Sequence, residues 1–302
     1  MDIAVLLTCF NRKEKTLGCL QSMFHALDCY SKKGGRELIN LSVYLTDDGC
    51  TDGTADAVIE AFPDKRVRII QGTGALFWAG GMRLAWSEAY KGHREIDFYL
   101  LLNDDTNMHE NAFSLLLQAH EYSITNYGVG GIYTGATCAK EDINKCTYGG
   151  AVWVSQFKGL YKKVLPINIP QKCDLTNANI LLVASEVVDR IGFLCEDYQH
   201  GLADFDYAIR ANRKGIPVLL TAGYCGACDY DHISSEQIVD KVIKMSLSER
   251  KKYFNHPVHS NKDYMRFIRN TSPVRLPMVW LGRQLNLYFP KLYYKLSAHR
   301  SK

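Results

Sequence analysis

Three short stretches of the chain place acidic side chains where an apolar run stops. In LTDDGCTDGT, residues 45–54, Asp47 and Asp48 directly follow an apolar strand candidate, and Gly49 and Gly53 supply the turns. In FYLLLNDDTN, residues 98–107, five apolar or aromatic residues run straight into Asn103, Asp104 and Asp105. In HGLADFDYAIRANRKGIPV, residues 200–218, Asp204 and Asp206 stand at the start of a helix whose Ile209 faces inward. Open α/β sheets bind ligands at the carboxyl ends of their strands, so these are the places to look for chemistry.

Each stretch has a chemical reading and a plain one. A carboxylate at 47 or 48 can accept a hydrogen bond from the imide of a pyrimidine base or from ribose hydroxyls, while the same segment also makes a turn and a helix N-cap at Asp52 or Thr54. Adjacent carboxylates at the end of a buried strand repel each other and lose solvation, so a cation or strong donors must compensate. Mg2+ or Mn2+ fits such oxygen ligands and completes its shell with substrate phosphates; the plain alternative is a strand-to-helix turn. A carboxylate at 204 or 206 can take the proton of an attacking hydroxyl, or simply complement the dipole of its helix.

The elements that must position these acids follow from hydrophobic periodicity. Strand candidates at Ile3–Thr8, Leu41–Leu45, Val67–Ile70 and Phe98–Leu102 alternate with helices starting near Asn11 and at Thr54–Phe62, Gly80–Tyr90 and His109–Tyr127. That alternation predicts a parallel sheet wrapped by helices over the first 135 residues. Aromatic-rich strands around Ala151–Tyr161 and a run at Ile180–Val183 predict a mixed second half. Helices at Ser185–Ile191 and Asp204–Lys214 and a strand at Pro217–Thr221 follow, and everything beyond His232 reads as helical.

Composition is that of a globular enzyme, 47% apolar and 23% charged over 302 residues. The net charge of +4 hides a division: residues 1–232 carry 22 Lys/Arg against 28 Asp/Glu, whereas the remainder carries 14 against 4. An N-terminus with only a short apolar run and no span predicts a cytoplasmic protein, and ten scattered cysteines predict free thiols. The segment LPMVWLGRQLNLYFPKLYYKL, residues 276–296, interleaves aromatics and leucines with Arg283, Lys291 and Lys295 and holds no acid. It is suited either to an anionic membrane surface, at the inner face of the membrane, or to packing on protein, and oligomeric state is left open.

With its motifs in this order, the chain resembles the inverting glycosyltransferases of family 2, a GT-A-type group that includes bacterial rhamnosyl and other polysaccharide sugar transferases. The likeness spans roughly residues 1–232 and rests on Thr8, Cys9, Phe10, Asn11 and Arg12, on DDGCTDGT, on GTGALFWAGGMRLAW at 72–86, on NDDT, and on the run from Thr176 into Asp204. It implies a GT-A fold: a Rossmann-like, mostly parallel sheet with a mixed second half flanked by helices. The helical tail, 233–302, follows a catalytic domain, 1–232, of which 1–135 binds the nucleotide-sugar and 136–232 holds the acceptor half. It also implies that Thr8, Asn11, Arg12, Asp47 and Asp48 line the nucleotide pocket, with Asp48 at the base and Asp47 at the ribose. Gly80 and Gly81 let backbone approach the donor, Trp78 packs beside the sugar or orders its loop, and Asn103 and Asp104 flank the metal aspartate. Asp105 then binds Mg2+ or Mn2+ with the diphosphate, Asp204 is the catalytic base with Asp206 second, and His232 lies near the metal. Asn103 stands where the family often has Asp, and Ala203 where many members have Glu. The implied activity is transfer of a sugar, from a UDP- or dTDP-linked and rhamnose-type donor, to a glycan or lipid-linked acceptor in cell-surface polysaccharide synthesis.

Other classes fit less well. Cys225, Cys228 and His232 form C-x2-C-x3-H, but no second CxxC completes a zinc site, and both cysteines are expected behind the strand at Pro217–Thr221. TCFNRK stands where a dinucleotide-dependent oxidoreductase needs G-x-G-x-x-G, and a nucleotidyltransferase also needs an early glycine-rich loop. The acidic body has no basic stripe for nucleic acid. The remaining rival is a non-catalytic nucleotide-sugar binder or assembly protein of the same fold.

Overall fold

The computed structural model describes residues 1–298 apart from 36, 65, 93, 94 and 231–233. The first half alternates strictly: β1 (Asp2–Cys9), α1 (Lys13–Lys32), β2 (Asn40–Asp47), α2 (Thr54–Ala61), β3 (Val67–Gln71), α3 (Phe77–Lys91) and β4 (Phe98–Leu102). Next come β5 (Asn107–Met108), α4 (Ala112–Tyr127), β6 (Ile132–Cys138), β7 (Gly150–Ser155), β8 (Leu160–Lys163), β9 (Gln171–Lys172), β10 (Leu175–Thr176) and β11 (Ile180–Ala184). After them stand α5 (Ser185–Ile191), α6 (Ala203–Arg213) and β12 (Val218–Ala227). Five helices complete the described chain: α7 (Ser235–Lys244), α8 (Leu247–Asn255), α9 (Asn261–Thr271), α10 (Leu276–Tyr288) and α11 (Pro290–Ala298).

The main sheet runs β3-β2-β1-β4-β11-β6-β12-β5, with β9 also on β12, and β10, β7 and β8 form a small second sheet. β3, β2, β1 and β4 are parallel; β11 is antiparallel to both β4 and β6, and β12 returns parallel to β6. This is the mostly parallel sheet with a mixed second half that the sequence predicts. Parallel strands covered on both faces must be apolar throughout, and Ile3 to Leu7 and Phe98 to Leu102 are accordingly all buried. On α1 the buried residues Thr16, Cys19, Leu20, Met23, Phe24, Leu27 and Tyr30 recur at helical spacing, as a helix laid on a sheet requires.

Antiparallel pairing decides what meets the acids. Ile180, the first residue of β11, pairs with Leu102, the last of β4, so residues 177–179 arrive beside 103–105. β12 ends at the same edge, and it is longer than its predicted span Pro217–Thr221: it runs through Cys225 to Ala227. Cys225 therefore lies on the strand, fully buried, and not behind it.

The chain divides into two compact units, one of residues 1–196 and 203–230 and the other of residues 197–202 and 231–302. Within the second, Ser234 and Ser246 cap α7 and α8 in reciprocal capping boxes with Gln237 and Glu249. Asp197 pairs there with Arg266 and Arg269, and Arg250 donates to the carbonyls of Leu287 and Met245. Among the described residues no helix is long and apolar enough to cross a membrane.

The seating of α3 on β1 depends on a missing side chain. A Cβ placed on Gly81 would stand 2.1 Å from Thr8 Oγ1 and 2.7 Å from Thr8 Cβ. Gly81→Ala is expected to cost about 1–3 kcal/mol, as overpacking of a tight contact does, measured as a lower urea midpoint. An unchanged midpoint would contradict this packing.

Candidate functional site

At the carboxyl ends of β1, β2 and β4 the loops are held together by side chains, and the two acids of the second motif have different surroundings. Asp104 is buried and Asp105 half-buried, and a single Arg12 nitrogen, Nη1, donates to Asp104 Oδ1 at 3.0 Å and to Asp105 Oδ2 at 2.9 Å. Burial pushes the Asp104 carboxyl up to about 6, Arg12 opposes that, and the neighbouring Asp105 charge adds to it. Asp104 Oδ2 is buried without a hydrogen-bond partner among the described residues. The other oxygen of Asp105, Oδ1, meets among the described residues the weak donor Cys228 Sγ at 3.7 Å. Two oxygen donors with unmet charge are the set that Mg2+ or Mn2+ prefers, so these residues fit a divalent ion.

Asn103 and Trp78 link this pair to the next loop. Trp78 Nε1 donates to Asn103 Oδ1 at 2.7 Å, a bond an amide oxygen accepts as well as a carboxylate would. Trp78 thereby fixes the start of α3 against the end of β4.

The acids of the first motif are occupied by backbone. Asp48 Oδ1 accepts the Gly74 N–H at 2.8 Å, and Oδ2 accepts those of Leu76 and Phe77, both at 2.9 Å. Phe77 has a φ of 55°, a left-handed conformation costly for a bulky residue, and Asp48 holds it there. Asp48 thus shapes the 74–77 loop with most of its acceptor capacity. Asp47 Oδ1 accepts the N–H groups of Gly49 and Cys50 at 3.1 and 2.7 Å, which closes the turn after β2. Asn11, also at positive φ (52°), accepts the Thr51 N–H at 2.7 Å and so ties the β1 loop to the β2 loop. The N-cap of α2 is Gly53, not the expected Asp52 or Thr54; Asp52, one residue earlier, accepts from Thr54 N at 3.1 Å and from Lys13 N at 3.0 Å and so ties the starts of α2 and α1 together. Thr8 faces Gly81, and Gly80 is buried against Leu76. Gly81 therefore makes room for α3 on β1, and Gly80 for the Leu76 side chain at the start of α3.

The third motif separates its two acids. Asp206 is buried and salt-bridged to Arg210 at 2.9 Å, and Arg210 also donates to the carbonyls of Ile191 and Phe193, so this acid is a helix-to-turn clamp. Asp204 is half-buried in the first turn of α6, with Oδ1 accepting from Phe205 N at 2.9 Å and Oδ2 from Ala178 N at 3.2 Å. Burial raises its carboxyl to about 6 against those N–H groups and the Asn177 side chain. Ala178 is followed by Asn179, whose carbonyl accepts the Asn103 N–H at 3.0 Å and whose Nδ2 donates to Thr106 Oγ1. A short bonded path therefore runs from Asp204 through 178–179 to Asn103 and the Asp104–Asp105 pair. Asn179 was not singled out from sequence, where its signal was a polar residue directly before a fully apolar strand, and Cys228 was read only as part of C-x2-C-x3-H and not as a neighbour of Asp105. His232 lies outside the described residues.

Asp48→Ala leaves three backbone N–H groups without their acceptor. The expected loss is roughly 3 kcal/mol or more of unfolding free energy, measured by denaturant titration. A loss within error of zero would contradict the role of Asp48 as the loop's anchor.

Searches for similar proteins bear on this arrangement. No curated protein sequence matches the chain. Among solved structures, S. aureus TarS (1–349) in complex with UDP is similar at 14% identity and a TM-score of 0.56, over 100% of this chain and 92% of that one. The mannosyltransferase PcManGT from Pyrobaculum calidifontis, in complex with GDP-Man and Mn2+, is similar at 13% identity and a TM-score of 0.52, over 99% and 84%. TarS in complex with UDP-GlcNAc is similar at 13% identity and a TM-score of 0.51, over 97% and 88%. At such identities these likenesses speak for the fold, which is that of GT-A glycosyltransferases. The family described as Glycosyl transferase family 2 matches residues 4–170, more than half the sequence, and the chain belongs to it.

Proposed function

We propose that this protein is an inverting, metal-dependent glycosyltransferase that moves a hexosyl or deoxyhexosyl group from a nucleoside-diphosphate sugar to a hydroxyl of a glycan or lipid-linked acceptor. The observation that carries the reading is Asp204, a carboxyl raised to about 6 and bonded through residues 178–179 to the edge that holds the acid pair. A base in that range is ionised at neutral pH yet basic enough to accept a proton. Residues 1–135 take the donor role in this reading and residues 136–232 the acceptor role. UDP- and dTDP-linked sugars are the preferred donors, and the nucleotides of the similar folds add GDP-sugars to the range to be tested.

In the reaction, the Asp204 carboxylate takes the proton of the acceptor hydroxyl. The hydroxyl oxygen bonds to the anomeric carbon as the bond to the diphosphate breaks on the opposite face, so configuration inverts and no covalent sugar–enzyme species forms. Asp105, with Asp104 beside it, would hold Mg2+ or Mn2+. The ion supplies neutralisation of negative charge growing on the departing diphosphate. Arg12 keeps the two carboxylates side by side, and the loop anchored by Asp48 positions Trp78 next to Asn103.

The C-terminal unit supports a location as well. Trp280, Leu281 and Phe289 are 54%, 63% and 63% exposed on α10 and directly after it, and Leu292 and Leu296 are exposed on α11. These apolar groups occur with Arg283, Lys291 and Lys295 in a segment without acids, the pairing that suits an anionic bilayer surface. Peripheral binding at the cytoplasmic face would bring the enzyme to a lipid-linked acceptor used in cell-surface polysaccharide synthesis.

Three outcomes are expected. Asp204→Asn lowers kcat by on the order of 10^2 to 10^4, the usual value of a general base, with donor Kd within a few-fold of wild type. Because Asp204 must be ionised to act, the wild-type rate falls as pH drops through about 6 and is level above it. Unchanged turnover in the variant, or a rate that rises on acidification, would remove Asp204 from the reaction. In flotation assays the protein is expected to rise with phosphatidylglycerol-containing vesicles and not with phosphatidylcholine alone, and Trp280→Ser with Phe289→Ser to abolish it. A wild-type protein that stays unbound with both would contradict the membrane reading.

A further inference from the structure

A cavity of about 290 Å3 lies wholly within the C-terminal unit, lined by side chains from α7 to α11 and by Gly201 and Leu202. Its walls are aromatic. Tyr253 carries His259 stacked on it, with ring centroids 4.1 Å apart, and Tyr264 lies under the Arg283 guanidinium, 4.2 Å from the ring centre. Tyr294 closes another side.

The polar groups set this cavity apart from an ordinary packing defect. Asn286 is 4% exposed, yet its Oδ1 has no hydrogen-bond partner among the described residues. A buried amide oxygen left unpaired costs roughly 1–3 kcal/mol, so its presence in a pocket wall marks a position that a ligand donor would satisfy. Arg283 makes its ring contact but no hydrogen bond to any described residue, so its donors are available. Asp263 is buried in the same wall, where its carboxylate accepts from Ser260 Oγ and Gln199 N.

Rings that offer apolar faces, together with a neutral acceptor, free guanidinium donors and a buried carboxylate, match one ligand class well. A pyranose has an apolar C–H face and a rim of hydroxyls that both donate and accept. The buried carboxylate disfavours a phosphate, and the unpaired amide disfavours a lipid chain. The volume sits at the small end of ligand pockets, which span roughly 300 to 1,000 Å3, so it takes one ring and not an extended chain. Gly201 and Leu202 lead through Ala203 to Asp204 in the sequence, and Leu202 holds a left-handed φ of 69°. We infer that this pocket binds a neutral sugar ring of the acceptor glycan, an inference that rests on the glycosyltransfer reading above.

Saturation-transfer NMR on the full-length protein tests it, with a panel of methyl glycosides as probes. At least one glycoside is expected to receive saturation, and to keep it under excess UDP, which competes only at the donor site. Asn286→Leu is expected to weaken that binding about fivefold to tenfold, the effect of one lost hydrogen bond, and Arg283→Met similarly. Melting temperatures of both variants show whether each is folded, and either one alone suffices for the comparison. No saturated glycoside, full displacement by UDP, or wild-type signal in a folded variant would overturn the pocket. Donor hydrolysis in the same samples separates the two readings: if it persists while glycosides fail to bind, only the pocket is lost, and if it is absent while glycosides bind, the transferase reading is lost.

Discussion

Two adjacent carboxylates at the end of a buried strand are an unfavourable arrangement, and the edge of this sheet is built to keep Asp104 and Asp105 in it. Arg12 bridges them from the β1 loop, yet burial still lifts the Asp104 carboxyl to about 6 and leaves one of its oxygens unpaired. A structure serving stability alone gains nothing from this pair, because apolar residues at the end of β4 would remove the cost. The expense is understandable where a doubly charged ion and a diphosphate complete the site.

Around that pair, other polar groups serve as frame. Asp48 holds the strained 74–77 loop, Asp52 ties the starts of α1 and α2 together, Asn11 ties the β1 loop to the β2 loop, and Asp206 locks Arg210 to the turn at the end of α5. Asn11 and Phe77, two of the residues at positive φ without being glycine, both sit in these loops. Strain concentrated at this edge and held by buried carboxylates is a cost met by the rigid sheet beneath. Asp204 differs from the framing acids: its N–H partners come from the backbone, it has no salt-bridge partner among the described residues, and it stays half-buried.

Much of this was legible in the sequence, for a physical reason. β1, β2, β3 and β4 and the helices between them show plain periodicity, and the acids stand where apolar runs end, so the parallel half and its loops could be read directly. β6 was not read, because IYTGATC has two threonines and a glycine yet is buried at every position, with Ile180 and Cys225 side chains filling the space over Gly135. The end of β12 was missed for a similar reason, since Gly223 and Gly226 look like turn residues. Carboxylate roles were harder still. Asp47 and Asp48, or Asp204 and Asp206, are equivalent as letters, and only the directions of their side chains distinguish a loop anchor or a clamp from a group with chemistry to do.

The central claim is that the carboxylates at this edge take a divalent ion and a nucleoside diphosphate together. Its most direct test is the melting temperature of the wild type and of Asp105→Ala against UDP-, dTDP- and GDP-sugars, with and without Mn2+. The account predicts that at least one nucleotide-sugar raises the wild-type melting temperature, that Mn2+ enlarges the shift, and that Asp105→Ala loses the enlargement. A wild-type protein whose melting temperature responds to no nucleotide-sugar under either condition, or a shift equally dependent on Mn2+ in Asp105→Ala, would contradict it.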